Sequence, residues 1–142
     1  MMNTEQVKEL AHKLHEGHFR RDGVTPYFAH LERVANRVGN GDSRNDEIIK
    51  QIAYLHDSIE DGRASRFELI RHGVDPTVIE GVLALTKDKY DDYLEYIKTL
   101  EYTHSYIRDI KIADILDNLS DSPSKKQIIK YAKALLILHG VD

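Results

Sequence analysis

Apolar residues recur at three- and four-residue steps along almost the whole chain. Ile48, Ile52, Leu55 and Ile59 make one such row, and Tyr27, Leu31, Val34 and Val38 another. Ile128, Ile129, Ala132, Leu135, Leu136 and Leu138 make a third near the end. This is helical spacing. Periodic segments fall at about 4–18, 26–38, 46–60, 65–72, 76–86, 89–101, 105–119 and 123–138, and no strand-like alternation of useful length occurs. The three prolines, Pro26, Pro76 and Pro123, follow Thr25, Asp75 and Ser122. Each pair predicts a helix start, with a capping side chain followed by the residue that suits the first helical position. The breaks at 39–45, around Gly62, at 72–75 and at 120–124 are too short for interdomain linkers, and there is no internal repeat. The pattern predicts an all-α fold: one domain over residues 1–142, built as a bundle of about six to eight helices.

Polar residues interrupt three of these segments in a way that changes the picture. In 46–60 the row through Ile49 and Ala53 runs into His56 and Glu60, with Asp57 and Asp61 beside them. A helix there places four polar groups on a flank that adjoins the core, where carboxylates are costly unless they bind a cation. A His-Asp pair alone reads as a solvated pair, so its company decides. His30 sits at the edge of the core face of the second segment, three residues after Tyr27. Asp114 lies in IRDIKIADILDNL (107–119), sharing a helical sector with Lys111 and Asn118. An internal salt bridge from Asp114 to Lys111 stays open beside a ligand role. His30, His56, Asp57 and Asp114 are thus candidate ligands for one divalent metal, with Glu60 and Asp61 in reach to handle a water.

Composition narrows the chemistry. With 142 residues the chain suits one modest core, and it contains no cysteine, which excludes thiolate catalysis, disulfides and zinc-finger chemistry. The formal net charge of −4 argues against nucleic-acid polymers as the main ligand, while a small phosphorylated molecule stays compatible. No apolar run approaches a membrane span and no signal-peptide pattern opens the chain, so a cytoplasmic location without a membrane partner is expected. Two imidazoles and two carboxylates form a mixed nitrogen–oxygen site suited to Mn²⁺, Fe²⁺ or Zn²⁺ rather than Ca²⁺.

The stretch HEGHFRRDGVTPYFAH (15–30), then LHDSIED (55–61), VLALTK (82–87) and IKIADILDNL (110–119), together resemble the HD-domain metal-dependent phosphohydrolases. Within them the resemblance is to the alarmone (ppGpp) hydrolases of the RelA/SpoT type, and it runs from about residue 11 to 121. It implies that His30, His56, Asp57 and Asp114 hold the metal, with Mn²⁺ favoured, and that Glu60 and Asp61 are the catalytic acid pair. It also implies that Arg20, Arg21 and Asn118 lie beside the nucleotide. Departures from the family pattern at Ser58-Ile59, Gly62 and Asp121 bear on substrate and leave the metal ligands intact. Binuclear relatives add histidines between the HD pair and the last Asp. Only His72 and His104 qualify here, neither in a convincing setting, so one metal is expected.

The expected chemistry is hydrolysis only. The acid pair orients or deprotonates water or protonates the leaving oxygen, and Arg20, Arg21 and Lys111 offset phosphate charge. A ppGpp-type alarmone losing its 3′-diphosphate is the first substrate reading. The alternatives are a nucleotide phosphatase releasing orthophosphate and a nucleotide-sensing module without turnover, against which Glu60 and Asp61 speak. Other histidines take plainer readings. His12, His15 and His18 form a polar helix edge (His15 also matches a family position), and His72, His104 and His139 lie near helix ends. Tyr90, Tyr93, Tyr96 and Tyr102 read as amphipathic packing, one of which could cover a pocket. Arg20 and Arg21 form either a charged loop or a substrate-facing turn, and nothing specifies an oligomer.

Overall fold

The computed structural model describes residues 1–39 and 44–141. Over those residues the order is α1 (Thr4–Leu14), α2 (Phe28–Arg37), α3 (Arg44–Leu55), α4 (Arg66–Arg71), α5 (Pro76–Ala84) and α6 (Tyr93–Thr99). A 3₁₀ turn (Leu100–Tyr102), α7 (Ser105–Leu119) and α8 (Lys125–Leu138) complete it. The fold is all-α, as the periodicity implies, and among the described residues there is no strand beyond an isolated bridge between Phe19 and Pro26. Most of the expected break at 39–45 lies outside the described residues; Gly39, with φ +57°, follows the end of α2. No helix among the described residues is long and apolar enough to cross a membrane.

Side chains set the helix boundaries. Asn3 and Gln6 form a reciprocal capping box at the start of α1, and Ser65 with Glu68 and Ser124 with Gln127 do the same for α4 and α8. Of the three proline pairs only Asp75-Pro76 starts a helix, with the Asp75 side chain accepting from the Thr77 N–H at 2.9 Å. Thr25-Pro26 instead closes a loop over residues 18–27. The Thr25 hydroxyl donates to Asp22 at 2.5 Å, the Arg20 N–H donates to the Thr25 carbonyl at 2.8 Å, and α2 begins only at Phe28. Ser122-Pro123 also precedes its helix, because Ser124 takes the cap. The segment expected from 89 begins at Tyr93, because Asp88 and Lys87 bind backbone groups of a turn and Asp92 provides the cap.

The most consequential difference is at the end of α3. The periodicity predicts a helix through residue 60, yet α3 stops at Leu55 and residues 56–62 run as turns. In a continuing helix the Ala53 and Leu55 carbonyls would accept from the N–H groups four residues on. Instead the His56 imidazole takes the Ala53 carbonyl at 2.6 Å, and the Ser58 hydroxyl takes that of Leu55 at 2.7 Å. Such local competition for carbonyls tightens the backbone and swings the following side chains away from the helix flank.

Helix α3 is the hub. It packs against α1, α2, α5 and α7, and Gln51, Ile52, Ala53, Tyr54 and Leu55 are all buried. Val7, Leu31, Val34, Val78, Val82, Ile110 and Ile115 close the core around it. Helix α5 approaches closely because Gly81 faces Ile52, and a Cβ there would lie 2.8 Å from Ile52 Cγ1. Ile52 is wholly buried and has no free direction to yield. Gly81→Ala gains about 1 kcal/mol of helix propensity but meets an overpacking cost of about 1–3 kcal/mol. The expected outcome is net destabilisation, measured as a lower Tm in thermal melts; an unchanged or higher Tm would show that α5 can withdraw freely.

Candidate metal centre

Four polar side chains converge where α2, the end of α3 and α7 meet. His30 comes from the first turn of α2, His56 and Asp57 from the turn after α3, and Asp114 from α7. His30 Nε2 lies 2.9 Å from Asp114 Oδ1 and 3.5 Å from Asp57 Oδ2. His56 Nε2 lies 3.1 Å from Asp57 Oδ2 and 3.2 Å from Asp114 Oδ1. One donor atom from each of the four falls within 4.8 Å of the others. His30, His56 and Asp114 are buried, so this charge sits inside the core.

The rings are held from behind. His56 Nδ1 faces a carbonyl, which can only accept, so that nitrogen carries the proton and Nε2 turns to the cluster. His30 Nδ1 lies 2.6 Å from Asp117 Oδ2, and Arg33 grips the same carboxylate with Nε at 2.6 Å. Asp117 is wholly buried. A carboxylate behind a ligating imidazole is the usual arrangement for orienting the ring and raising its basicity. Neither Asp117 nor Arg33 stands out in the sequence. Both do sit three residues after a candidate ligand, one helical turn on from Asp114 and from His30.

The electrostatics fit a cation. Burial opposes the charged form of His30, but Asp114, Asp117 and Asp57 outweigh it and push the imidazole up to about 9. Burial also opposes a charge on His56, yet Asp57 and Asp114 raise it well above its ordinary value. Burial would push the Asp114 carboxyl up, but Lys111 and the two imidazoles hold it well below the usual carboxylate range. His30 Nε2 is close to Asp114 yet not aligned as a hydrogen-bond donor to it, so this buried atom is without a hydrogen-bond partner. Nitrogen and oxygen donors aimed at a common point, with one orphaned, suit a divalent ion of the Mn²⁺, Fe²⁺ or Zn²⁺ type. The salt bridge from Lys111 to Asp114 also forms, at 3.0 Å, but through Oδ2, which leaves Oδ1 facing the imidazoles.

A cavity of about 230 Å³ opens over Asp57 and Asp114. Glu60, Asp61, Lys87, Lys111, Asn118 and Lys130 line it, with Tyr27, Tyr93, Tyr96 and Tyr131. Glu60 accepts the Lys87 N–H at 2.6 Å, which ties the turn after α3 to the loop before α6. Loss of hydration, together with the Asp57 and Glu60 carboxylates, pushes Asp61 up to about 6. The Tyr27 hydroxyl donates to Asp57 at 2.6 Å, so a residue assigned to the core face also reaches the site. Lys130 Nζ sits over the rings of Tyr93 and Tyr131, at 4.6 and 4.8 Å.

Arg20 and Arg21 are not among the lining residues. Arg20 is buried against Asn118 at 3.0 Å and Asp121 at 3.1 Å, and Arg21 donates to Gln127 on α8. Asn118 does line the cavity, within 3.4 Å of Asp114. The cations that reach the opening are the lysines, of which the sequence singled out Lys111 alone. Larger grooves lie between α6 and α8 and between α5 and α7, about 950 and 620 Å³, but among the described residues neither gathers a set of ligating side chains.

The helical bundle, with a His–His–Asp–Asp cluster under a polar cavity, is consistent with the resemblance of the motifs to the RelA/SpoT-type HD hydrolases. One solved structure that the chain resembles is described as a metazoan orthologue of SpoT that hydrolyses ppGpp and plays a role in starvation responses. The TM-score is 0.81 and the identity 25%, over 98% of this chain and 86% of that one. No protein-family model matches the chain. No curated protein matches it either.

Two outcomes are expected of cation binding. Asp117→Asn should weaken it by about 10- to 100-fold, the usual effect of losing a carboxylate behind a ligating imidazole; equilibrium dialysis with Mn²⁺ measures this, and unchanged affinity would remove Asp117 from the site. The pH dependence follows from the raised imidazoles. With His30 at about 9 and His56 also raised, both rings hold a proton at pH 7 that a cation must displace. Association should therefore release protons at pH 7, and affinity should rise with pH until both rings have titrated. Calorimetry in buffers of different ionisation enthalpy counts them, and no proton release would contradict ligation by these rings.

Proposed function

We propose that the chain is a divalent-metal-dependent phosphohydrolase that cleaves a phosphorylated nucleotide. Its leading substrate is a ppGpp-type alarmone, which loses the 3′-diphosphate. The observation that carries this reading is the position of two acids, Glu60 and Asp61, and three lysines around one opening above the four-donor cluster. The likeness to a structure described as hydrolysing ppGpp supports the substrate class. We take residues 1–142 as one HD-type unit acting in the cytoplasm, with His30, His56, Asp57 and Asp114 holding one ion, Mn²⁺ by family likeness. An ion held there supplies an acidified water and a polarised phosphoryl oxygen.

The chain's own groups supply the rest. Asp61, held near 6, exchanges a proton close to neutral pH, which suits it to take a proton from the attacking water or return one to the leaving oxygen. Glu60, with one oxygen engaged by the Lys87 N–H, keeps that loop and its lysine at the opening. Lys111, Lys87 and Lys130 neutralise phosphate charge, and Asn118 offers an amide to the same region. Arg20 acts through Asn118, which it holds in place, and Arg21 braces α8.

A second reading, a phosphatase releasing orthophosphate from a simple nucleotide, draws on the size of the cavity. At about 230 Å³ it is smaller than a typical pocket for a whole ligand and matches the phosphorylated sugar better than the entire nucleotide. Anion chromatography of products from Mn²⁺-loaded protein and ppGpp separates the readings. Pyrophosphate with guanosine 5′-diphosphate is expected, whereas orthophosphate alone would select the second. Asp61→Asn should lower turnover by about 10²- to 10⁴-fold with metal content retained. No turnover by metal-loaded, unsubstituted chain would sink both enzymatic readings and favour a nucleotide sensor.

A further inference from the structure

His15, His18 and Asp61 form a second group of ligating side chains, outside the four-donor centre. His15 closes α1 and is only 3% exposed. Gly17, at φ +75°, then reverses the chain so that the His18 ring comes back over that of His15. The two rings are nearly parallel, at 20°, and their Nδ1 atoms face each other 3.0 Å apart. Tyr27 stacks on both, with centroids 4.0 Å from His18 and 5.1 Å from His15, and so fixes their planes. One donor atom from each of His15, His18 and Asp61 lies within 4.8 Å of the other two.

As a polar edge of α1, both rings would point to solvent and pair with water; instead His15 is buried, and His18 is half-buried and stacked on it. A proton shared between the Nδ1 atoms satisfies one nitrogen of each ring, yet His15 Nε2 is buried with no hydrogen-bond partner. Burial holds the His15 imidazole down to about 4, and burial with Arg63 lowers that of His18, so both rings keep a lone pair at neutral pH. The Asp57 carboxylate draws positive charge to this corner and Arg63 opposes it. Two neutral imidazoles and one solvent-facing carboxylate are the donor set of an open three-ligand site for a borderline transition ion.

We infer that His15, His18 and Asp61 form a second cation site, suited to an ion of the Zn²⁺ type, beside the four-donor centre. Its existence does not depend on the proposed activity. Its consequence does: an ion there takes the Asp61 carboxylate out of proton transfer, so the second equivalent lowers turnover while the first supports it.

Equilibrium dialysis against Zn²⁺ alone, with the bound metal counted, tests the site apart from any turnover. The unchanged chain should bind two equivalents, and His18→Gln and His56→Ala one each. His18→Gln chains must show the parent far-UV circular dichroism. If they do not, Arg63→Gln decides, because removing the opposing charge should tighten the weaker equivalent by about fivefold. A single equivalent in the unchanged chain, two in folded His18→Gln, or unaltered affinity in Arg63→Gln would overturn the site. The hydrolysis assay would stand in each case, so its failure and this one are distinguishable.

Discussion

The structure depends on neutralising charge inside a hydrophobic core. Asp57, Asp114 and Asp117 lie at the meeting of α2, the end of α3 and α7, and Asp117 and Asp114 are almost without solvent. Carboxylates there are costly unless cations and donors surround them. His30, His56, Lys111 and Arg33 provide that surround, each from a distinct place in the chain. Three helices must therefore meet at a defined distance, because removing any one leaves an uncompensated charge for the others. The apolar contacts of α3 supply the drive to collapse, and the polar cluster specifies where collapse stops.

The same compensation makes the site capable of chemistry. Groups held from behind, His56 by the Ala53 carbonyl and His30 by Asp117, have their other nitrogen aimed inward without rotational freedom. The early end of α3 belongs to this arrangement. By giving its carbonyls to side chains, the chain leaves the helix just before Asp57, and Glu60 and Asp61 then move to the rim of the opening. A continuous helix would have kept them on its flank. The loop over residues 18–27 has a parallel effect, since its backbone bonds bring Tyr27 and His18 against the centre while Arg20 is absorbed by Asn118 and Asp121.

Legibility in the sequence follows the range of the interaction. The all-α character rests on three- and four-residue apolar steps, a local property, and α7 spans Ser105–Leu119 as the pattern predicts. His30, His56, Asp57 and Asp114 can be picked out because each interrupts an apolar face, and the motif order resembles a known family. Tyr27 and Asp117 are harder. A tyrosine on an apolar face looks like core whether or not its hydroxyl meets a carboxylate. Asp117 looks like any acid on a helix until His30 and Arg33 arrive from a segment 84–87 residues away.

By itself, then, the sequence determined the all-α pattern, the Asp75-Pro76 helix start and the candidate ligands, because these depend on periodicity and on neighbours along the chain. Only the tertiary structure decided that α3 ends at Leu55, that lysines rather than Arg20 and Arg21 surround the opening, and that His15 and His18 face each other beside Asp61. Those outcomes depend on which distant group reaches a carbonyl, a carboxylate or a ring first. Spacing along a chain carries no record of that competition.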